Sequence, residues 1–368
     1  SITEENRMEL FRRRAARLQK GELCAVDSIS RSAYGNTLTD VKWGKNKDKL
    51  PLEQTMETVV YTLDSHMPVY YRAFPGNIPD SRSVETILTD IRHAGFPHVI
   101  LITDRGYESL QNLERYILAG QAMIMCVKVR QKMVLEKIRE FGDFGGRPPV
   151  MEIDPKSKLY HKQYDLEYPV TGKGGSTTQS DRLRLNLYFD AIRRGTELTA
   201  LDVNIAMQRA ALQEIKEMGA SLDDDVTIKR NYNYFDIDYN ESDRTIRSFT
   251  LNEEKVAAAR RTSGFFAIMT HKLDMDPITV LDNYGLRDEQ EKYFQQMKSQ
   301  MNINRQRTWS EEGKSGRHFI TFIALIISSY LRNIWKTTPL KDRFTSSLEV
   351  LDEMRSIRCI EHRGKAKF

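Results

Sequence analysis

The order of the apolar runs between residues 23 and 129 constrains the fold more than any other feature of this chain. Three β-like runs come first, at 23–26, 58–63 and 68–74. The polar segment 64–66 is typical of a hairpin turn between the second run and the third. The sequence therefore predicts three consecutive antiparallel strands, the first of which ends at Asp27.

The pattern then changes to helices that alternate with wholly apolar strands. Helical periodicity runs to about His93 from a start at Asp80 or Ser81, either of which can cap a helix. Apolar strands follow at 99–103 and 122–129, with a helix over about 109–118 between them. Continuous apolar strands separated by helices indicate a parallel arrangement that is buried on both faces. This order is similar to that of a ribonuclease H-like core, and we predict an α/β fold with a mixed sheet flanked by helices.

The rest of the chain has a different character. Segments rich in Gly, Pro, Ser and Thr separate short β-like pieces up to about residue 262, and a further strand and two long helices follow. We predict five parts: an N-terminal helix (1–20), the first part of the core (21–130), a β-containing insertion subdomain (131–262), the second part of the core (263–340) and a C-terminal tail (341–368).

Charge and cysteine content narrow the class of protein only moderately. The chain has 56 Lys and Arg against 51 Asp and Glu, a net charge of +5, which allows a polyanionic partner without requiring one. Its three cysteines lie far apart and exclude a disulfide scaffold. No secretory signal begins the sequence. The longest apolar run, 319–331, is shorter than the roughly 18–20 residues that span a bilayer. We expect a cytoplasmic protein without a membrane partner, in which 319–331 is a buried helix.

Two aspartates, Asp27 and Asp104, directly follow apolar strands. Ligand-binding groups of α/β sheets project from the carboxyl ends of the strands. If the two strands are neighbours, both carboxylates point into one site, and hard divalent cations prefer such oxygen ligands. Taken alone, an Asp after a strand is more often a turn former or a helix cap.

The helix predicted over 281–301 carries a polar stripe. At 100° per residue, Tyr284, Arg287, Glu291 and Lys298 lie within a wedge of about 60°, and the apolar residues, Leu286 among them, occupy the adjoining arc. We predict that the helix packs through the apolar arc and presents the polar stripe along its edge. The alternative is a solvated face with an ordinary Arg287–Glu291 pair.

The spacing Tyr284-x2-Arg287-x3-Glu291-x6-Lys298 resembles the Y-x2-R-x3-E-x6-K signature of bacterial insertion-sequence transposases of the DDE type. Five further segments resemble that family in the same order: 26–28, 44–52, 74–80 (F-P-G-N-I-P-D), 102–107 (I-T-D-R-G-Y) and 264–270. One departure is Asp288, where the family usually has Trp. Another is the short stretch before the first strand, where relatives usually carry an end-binding region.

The resemblance implies a catalytic triad of Asp27, Asp104 and Glu291. These carboxylates would hold two Mg²⁺ ions, with Mn²⁺ as a possible substitute and Asp27 bridging both metals. Water or a DNA 3′-OH would be the nucleophile, so that no side chain need attack the phosphorus. No other cofactor is implied.

The resemblance further implies cut-and-paste transposition: cleavage at transposon ends followed by strand transfer of the 3′-OH into target DNA. Tyr284, Arg287, Lys298 and Arg105 would contact the double-stranded DNA, and a homodimer would form in the synaptic complex. The setting would be the bacterial cytoplasm, in association with the nucleoid. Two alternatives stay open at this point: a decayed or domesticated transposase that only binds DNA, and a ribonuclease H-like nuclease without strand transfer.

Other motifs are weaker. The segment 172–177 lacks the residues of a Walker phosphate loop, and Cys359-x2-His362 is half a zinc site at most. Two basic runs, at 128–139 and 182–194, are either solvated faces or phosphate contacts in a DNA enzyme.

Overall fold

The dominant feature is a nine-stranded mixed sheet with the strand order β3-β2-β1-β4-β5-β11-β8-β7-β6. Its strands are β1 (Leu23–Ser32), β2 (Gln54–Thr62), β3 (Pro68–Pro75), β4 (Ile100–Thr103), β5 (Ala122–Val127), β6 (Glu152–Ile153), β7 (Tyr160–Thr171), β8 (Thr177–Phe189) and β11 (Phe265–His271). Two small antiparallel pairs complete the strands: β9 (Phe235–Tyr239) with β10 (Ile246–Leu251), and β12 (Ile360–His362) with β13 (Lys365–Lys367).

Eleven helices are seen in the described part of this computed structural model: α1 (Glu4–Ala15), α2 (Asp80–His93), α3 (Leu110–Leu118), α4 (Lys132–Arg139), α5 (Ala191–Met218), α6 (Asp225–Asn231), α7 (Glu253–Thr262), α8 (Pro277–Gln300), α9 (Glu311–Thr337), α10 (Leu340–Arg343) and α11 (Ser347–Met354). The structure describes the chain except residues 1, 34–36, 46–50, 143, 145–147, 149, 172–176, 301–304, 357–359, 363, 364 and 368. Side chains at 171, 177–179, 289–300, 348, 360–362 and 365–367 are also outside the description. Much of the 44–52 motif and Cys359 of the half zinc motif fall outside the described residues.

The predicted core is confirmed. β1 pairs with β2 and β2 with β3 in antiparallel fashion, while β4 is parallel to both β1 and β5. Three antiparallel strands followed by two parallel ones, in the order β3-β2-β1-β4-β5, are the topology of a ribonuclease H-like core. The apolar runs that predicted β4 and β5 are buried as expected for strands that are covered on both faces.

β1 is longer than the sequence predicts, and this moves Asp27 from the end of the strand to its middle. The strand continues to Ser32 and pairs with β2 along its whole second half, with Ser32 opposite Gln54. The residues from 28 to 32 are mostly polar, so they give no apolar signal. They are nevertheless buried, because neighbouring elements cover both faces of the strand.

The cap predicted for α2 is wrong. The N-cap position is Pro79, which has no side chain able to accept a hydrogen bond, and Asp80 is the first helical residue. The carboxylate of Asp80 accepts a hydrogen bond from the Ser28 hydroxyl on β1 instead. Asp80 thus ties the start of α2 to the central strand.

The apolar helix α9 is buried along only one face, which corrects the prediction of a buried helix at 319–331. Phe322 and Leu325 are buried, whereas Ile320, Ile327 and Tyr330 are exposed. α9 is 27 residues long, longer than the apolar run 319–331, whose length the sequence analysis compared with a bilayer span. By length and composition alone, α9 could cross a membrane. One such helix is weak evidence for a membrane span, and this one packs on β3.

The chain divides into two compact units. The first consists of 1–126, 166–184 and 269–368, and the second of 127–165 and 185–268. The second unit has a small core of its own, in which Leu201, Ile205 and Leu212 of α5 lie among apolar side chains of α6, β9, β10 and α7. Helix α5 begins at Ala191, where Asp190 caps it by accepting from two backbone N–H groups.

A buried charge cluster joins β1, β2 and α9 in the first unit. Arg31 and Glu57 have no exposed side-chain surface, and the Arg31 guanidinium donates to a Glu57 oxygen at 2.9 Å. His318 of α9 contacts the same carboxylate through Nδ1. Burial alone would raise the pKa of Glu57, but the charges of Arg31 and His318 outweigh it and lower the pKa to about 2.

We predict that Glu57→Gln lowers the free energy of unfolding by about 3–5 kcal/mol, because it leaves the buried Arg31 guanidinium without its counter-ion. Urea unfolding at neutral pH measures the effect. As a control, Glu9→Gln breaks an exposed pair with Arg13 and should cost under about 0.5 kcal/mol. Equal stability of Glu57→Gln and the wild type would contradict the prediction.

The same cluster predicts a pH dependence. A carboxyl whose pKa is lowered by folding contributes stability that is present above its ordinary pKa of 4.5 and is lost as the pH falls towards about 2. Wild-type stability should therefore fall more steeply in this window than that of Glu57→Gln. Parallel pH profiles for the two proteins would show that Glu57 does not stabilise the fold in this way.

Candidate active site

The register of β1 against β4 places two aspartates at the same level of the sheet. Cys24 pairs with Leu101 and Ala25 with Ile102, and the same offset continued by two residues sets Asp27 beside Asp104. Neighbouring strands lie about 4.8 Å apart, and paired residues point to the same face. The two carboxylates that the sequence analysis singled out therefore belong to one site, and both are partly exposed.

The turn after β4 holds the Asp104 carboxylate. The backbone N–H of Gly106 donates to Asp104 Oδ1 at 2.7 Å. A Cβ atom on Gly106 would lie 2.9 Å from that oxygen and 3.1 Å from Asp80 Oδ2, so the two oxygens are within about 6 Å of each other. A side chain at this position would therefore crowd both carboxylates and displace Asp104 from its hydrogen bond with the Gly106 N–H.

Asp80 is the residue that the sequence analysis missed. It accepts a hydrogen bond from Ser28, the chain neighbour of Asp27, and also lies close to Asp104. The signal was present as the last residue of the segment 74–80, but nothing in the sequence shows that this turn reaches the level of Asp27 and Asp104 on the sheet. The fold brings it there because α2 starts beside the middle of β1.

Tyr107 lies beneath these carboxylates and is buried. Burial raises the pKa of Tyr107 well above its ordinary value, and the negative charges of Asp80, Asp27 and Asp104 raise it further. The phenol therefore stays protonated and contributes no negative charge to a site that already contains three carboxylates.

Helix α8 brings Arg287 to the same place. Arg287 is only 8% exposed. Its Nη1 lies 3.9 Å from Asp104 Oδ2, and its guanidinium covers the ring of Tyr284 at 5.2 Å from the centroid. Leu286, in contrast, is 39% exposed. The predicted faces of this helix are thus reversed around residue 287, because the pairing with Asp104 and Tyr284 favours burial of the arginine.

Tyr284 is also directed into the protein. Burial raises the pKa of Tyr284, and its hydroxyl lies beside the Cys126 thiol at the end of β5. Burial likewise raises the pKa of Cys126, so this thiol is not activated for nucleophilic attack. The described side chains of the site are therefore carboxylates, the Arg287 guanidinium and the Ser28 hydroxyl, which donates to Asp80.

The side chains of Glu291 and Lys298 lie outside the described residues, although both positions belong to α8. Residue 291 follows Arg287 by four positions, so it lies one turn further on the same face of the helix. α8 packs on β1.

The donor set suits a hard divalent cation, since it offers carboxylate oxygens and no thiolate. Among the described side chains, no group of three or more His, Cys, Asp or Glu residues is arranged around a metal position. Asp27 and Asp104 lie at one level of the sheet, and the Glu291 side chain is outside the described residues, so the triad stays a prediction. Arg105, next to Asp104, is exposed to solvent.

Three arginines of the basic run at 182–194 form contacts within the protein. Arg184 pairs with Asp274, and Arg193 pairs with Glu197. Arg194 covers the Phe144 ring and donates to the carbonyl of Ser263. These arginines stabilise the fold locally.

Comparison with known proteins identifies the family of this chain. A search of curated proteins gave no significant match. Among solved structures, the piggyBac transposase synaptic complex with hairpin DNA, determined by cryo-EM, is similar at a TM-score of 0.44 and 7% identity. The match covers 84% of this chain and 47% of that one, so this chain spans about half the length of the protein it matches. A likeness this distant supports no functional inference. The sequence profile described as "Transposase DDE domain" matches residues 18–327, and the chain therefore belongs to the DDE transposase family.

Proposed function

We propose that this protein is an active DNA transposase that cleaves at the ends of a mobile element and joins the freed 3′-OH to target DNA. The observation that carries the proposal is the shared level of Asp27 and Asp104 on neighbouring strands. The family match supports the reaction class. The proposal includes three finer points, which are the transposon ends as substrate, the strand transfer and the cut-and-paste route.

The carboxylates of Asp27, Asp104 and Glu291 would hold two Mg²⁺ ions, for which Mn²⁺ could substitute. When bound, such ions activate the attacking oxygen and stabilise the leaving oxygen in phosphoryl transfer. In hydrolysis, water oxygen forms the new bond to phosphorus and the 3′-oxygen leaves with a proton. In joining, the 3′-oxygen attacks a target phosphate, and the displaced oxygen leaves in the same way.

The surrounding residues orient this carboxylate set. Arg287 faces Asp104 and limits the directions in which that carboxylate can turn. Asp80 and Ser28 connect the strand of Asp27 to the start of α2. Arg105 is exposed beside Asp104, whereas Arg287 is buried, so Arg105 is better placed to donate hydrogen bonds to a DNA phosphate. Tyr284 and Lys298 complete the DNA-contacting set in the proposal.

The expected partners are the two transposon ends and the target duplex, brought together by a homodimer. We place this reaction in the bacterial cytoplasm, at the nucleoid.

Cleavage of a labelled transposon-end duplex in Mg²⁺ tests the proposal. We predict that Asp27→Asn and Asp104→Asn each reduce the cleavage rate by at least about 10³-fold, because either change removes a ligand that both steps require. The exposed Asp64→Asn, in the β2–β3 turn, serves as the control and should leave the rate unchanged.

The outcomes separate the candidate functions. Cleavage and joining by the wild type, lost in both active-site variants, supports the transposase. Cleavage without joining would identify a nuclease. Specific binding of the ends without cleavage would identify a decayed or domesticated protein. Equal cleavage by Asp27→Asn and the wild type would contradict the assigned site.

Arg287 should tolerate no conservative change. Lysine cannot keep both the contact with Asp104 and the planar stacking on Tyr284. We predict that Arg287→Lys lowers the cleavage rate about 10- to 100-fold with little change in the affinity for DNA. Arg105→Lys, at the exposed neighbour, should mainly weaken DNA binding. A variant of Arg287 that lost only DNA affinity would show that this side chain contacts phosphate instead.

Asp80 should act through its hydrogen bond more than through its charge. Asparagine keeps an oxygen that can accept from Ser28, whereas alanine does not. We predict a loss of about 10- to 100-fold in cleavage for Asp80→Ala, the range seen when the partners of metal ligands are removed, and a smaller loss for Asp80→Asn. Glu85→Gln on the same helix is the control. Equal losses for the two Asp80 variants would assign the effect to its charge.

A further inference from the structure

Two loops of the first unit display tryptophan among cationic residues. The first loop follows β1 and contains Lys42, Trp43 and Lys45, and the second precedes α9 and contains Arg305, Arg307 and Trp309. We call these six residues the Trp43–Trp309 surface. None of them takes part in the active site described above.

The exposure of both indoles is unusual. Trp43 is 63% exposed and Trp309 is 71% exposed, although tryptophan is among the most buried residues on average. All four cations of the surface are exposed as well. Exposed aromatic rings interleaved with Lys and Arg are the chemistry that binds nucleic-acid bases and phosphates together.

Specific contacts hold the two loops to each other. Thr39 donates through its backbone N–H and its hydroxyl to Glu311 at 3.0 Å. Lys314 of α9 forms an ion pair with Asp40. The backbone N–H of Gln306 donates to the carbonyl of Ser32 at 2.8 Å. Both loops are therefore fixed at the carboxyl end of β1 and form one surface.

The first loop is also packed against the turn that leads to Asp80. A Cβ atom on Gly44 would lie 2.0 Å from the carbonyl oxygen of Gly76, and one on Gly76 would lie 1.9 Å from that of Gln54. Only glycine allows this approach of the backbones. The position of Trp43 is thus set by the same turn that places Asp80 beside the catalytic aspartates.

The charges of this region favour an anionic ligand. Its two described acidic groups that contact the loops, Asp40 and Glu311, are both paired with Lys314. Partial burial lowers the pKa of Arg317, and the positive charges of Arg31 and Arg307 lower it further. Mutual repulsion of this kind is relieved when a polyanion binds.

The distance from the catalytic residues matches the spacing of DNA. From Asp27, β1 continues to Ser32, where Arg305 forms a bridge with it. Five residues of strand rise by about 17 Å. Successive nucleotides of a duplex strand are about 3.4 Å apart. A strand that passes the aspartates and follows β1 would reach the Trp43–Trp309 surface about five nucleotides away.

We propose that the Trp43–Trp309 surface binds DNA about five nucleotides from the cleaved bond, with the cations on the phosphates and both indoles stacked on unpaired bases. The inference rests on the proposed function, because the separation of about five nucleotides is counted from DNA bound in the active site. Unpaired bases are the chosen ligand because the faces of paired bases are covered by their neighbours in the duplex. An acidic protein partner is the competing occupant.

Tryptophan fluorescence tests this directly, because the chain has only three tryptophans. The third, Trp335, donates its indole N–H to the carbonyl of Phe344. We expect a duplex with a single-stranded extension to quench the tryptophan fluorescence of the 368-residue chain, and the blunt duplex to quench it less. Trp335→Phe should keep this response, whereas Trp43→Phe with Trp309→Phe should lose it. Quenching that survives in the latter variant would overturn the proposal.

Affinity and salt dependence test the same surface without spectroscopy. Removal of each indole by Ala should weaken binding of the extended duplex roughly 5- to 150-fold. Changing Lys42, Arg305 and Arg307 to Ala should reduce the slope of log affinity against log salt by about 2–3. Lys20→Ala with Arg92→Ala, at exposed sites away from these loops, is the control. Affinities and slopes equal to wild type would overturn the proposal and leave an acidic protein as the occupant.

Cleavage assays on these variants keep the two claims separate. If the wild type cleaves DNA and the surface variants bind it normally, the surface assignment fails and the proposed function stands. If the indoles are quenched but Asp27→Asn cleaves like the wild type, the surface assignment stands and the catalytic assignment fails.

Discussion

The structure depends above all on the pairing of β1 at the centre of the ribonuclease H-like core. β1 is antiparallel to β2 on one side and parallel to β4 on the other, and the second pairing sets Asp27 level with Asp104. A shift of one residue would turn one of these carboxylates to the opposite face. The buried cluster of Arg31, Glu57 and His318 fixes the far half of the same strand and attaches α9 to it. The geometry of the candidate site and the stability of the fold therefore both depend on one strand.

β1 continues beyond Asp27 to Ser32, and neighbouring elements attach to this second half of the strand. The turn at Gly76 and the loop before α9 both attach near its carboxyl end, and α2 begins beside its middle. In this way the strand connects Asp27, Asp80 and the Trp43–Trp309 surface within one unit. A DNA strand that follows β1 would meet each of them in turn.

The sequence alone was sufficient for the core strands, for the shared level of Asp27 and Asp104 on the sheet, and for the family. Apolar runs mark β4 and β5 because those strands are covered on both faces, and the residues after them stand out by contrast. The second half of β1 was missed because its buried residues are polar and become buried only through tertiary contacts. The buried state of Arg287 was missed for a related reason: helical periodicity describes apolar faces and cannot anticipate a guanidinium that packs on Tyr284 beside Asp104. The role of Asp80 required the relative position of two elements, which local sequence does not encode.

The central claim is that Asp27 and Asp104 act together as ligands of the catalytic cations, and exchange of their ligand chemistry tests it most directly. A thiolate is a softer ligand that Mg²⁺ accepts poorly and Mn²⁺ accepts better. The account predicts that Asp27→Cys and Asp104→Cys each lose cleavage of the transposon-end duplex in Mg²⁺ and recover part of it in Mn²⁺. Full activity of either variant in Mg²⁺ would contradict the assignment, as would failure of Mn²⁺ to restore cleavage in correctly folded variants.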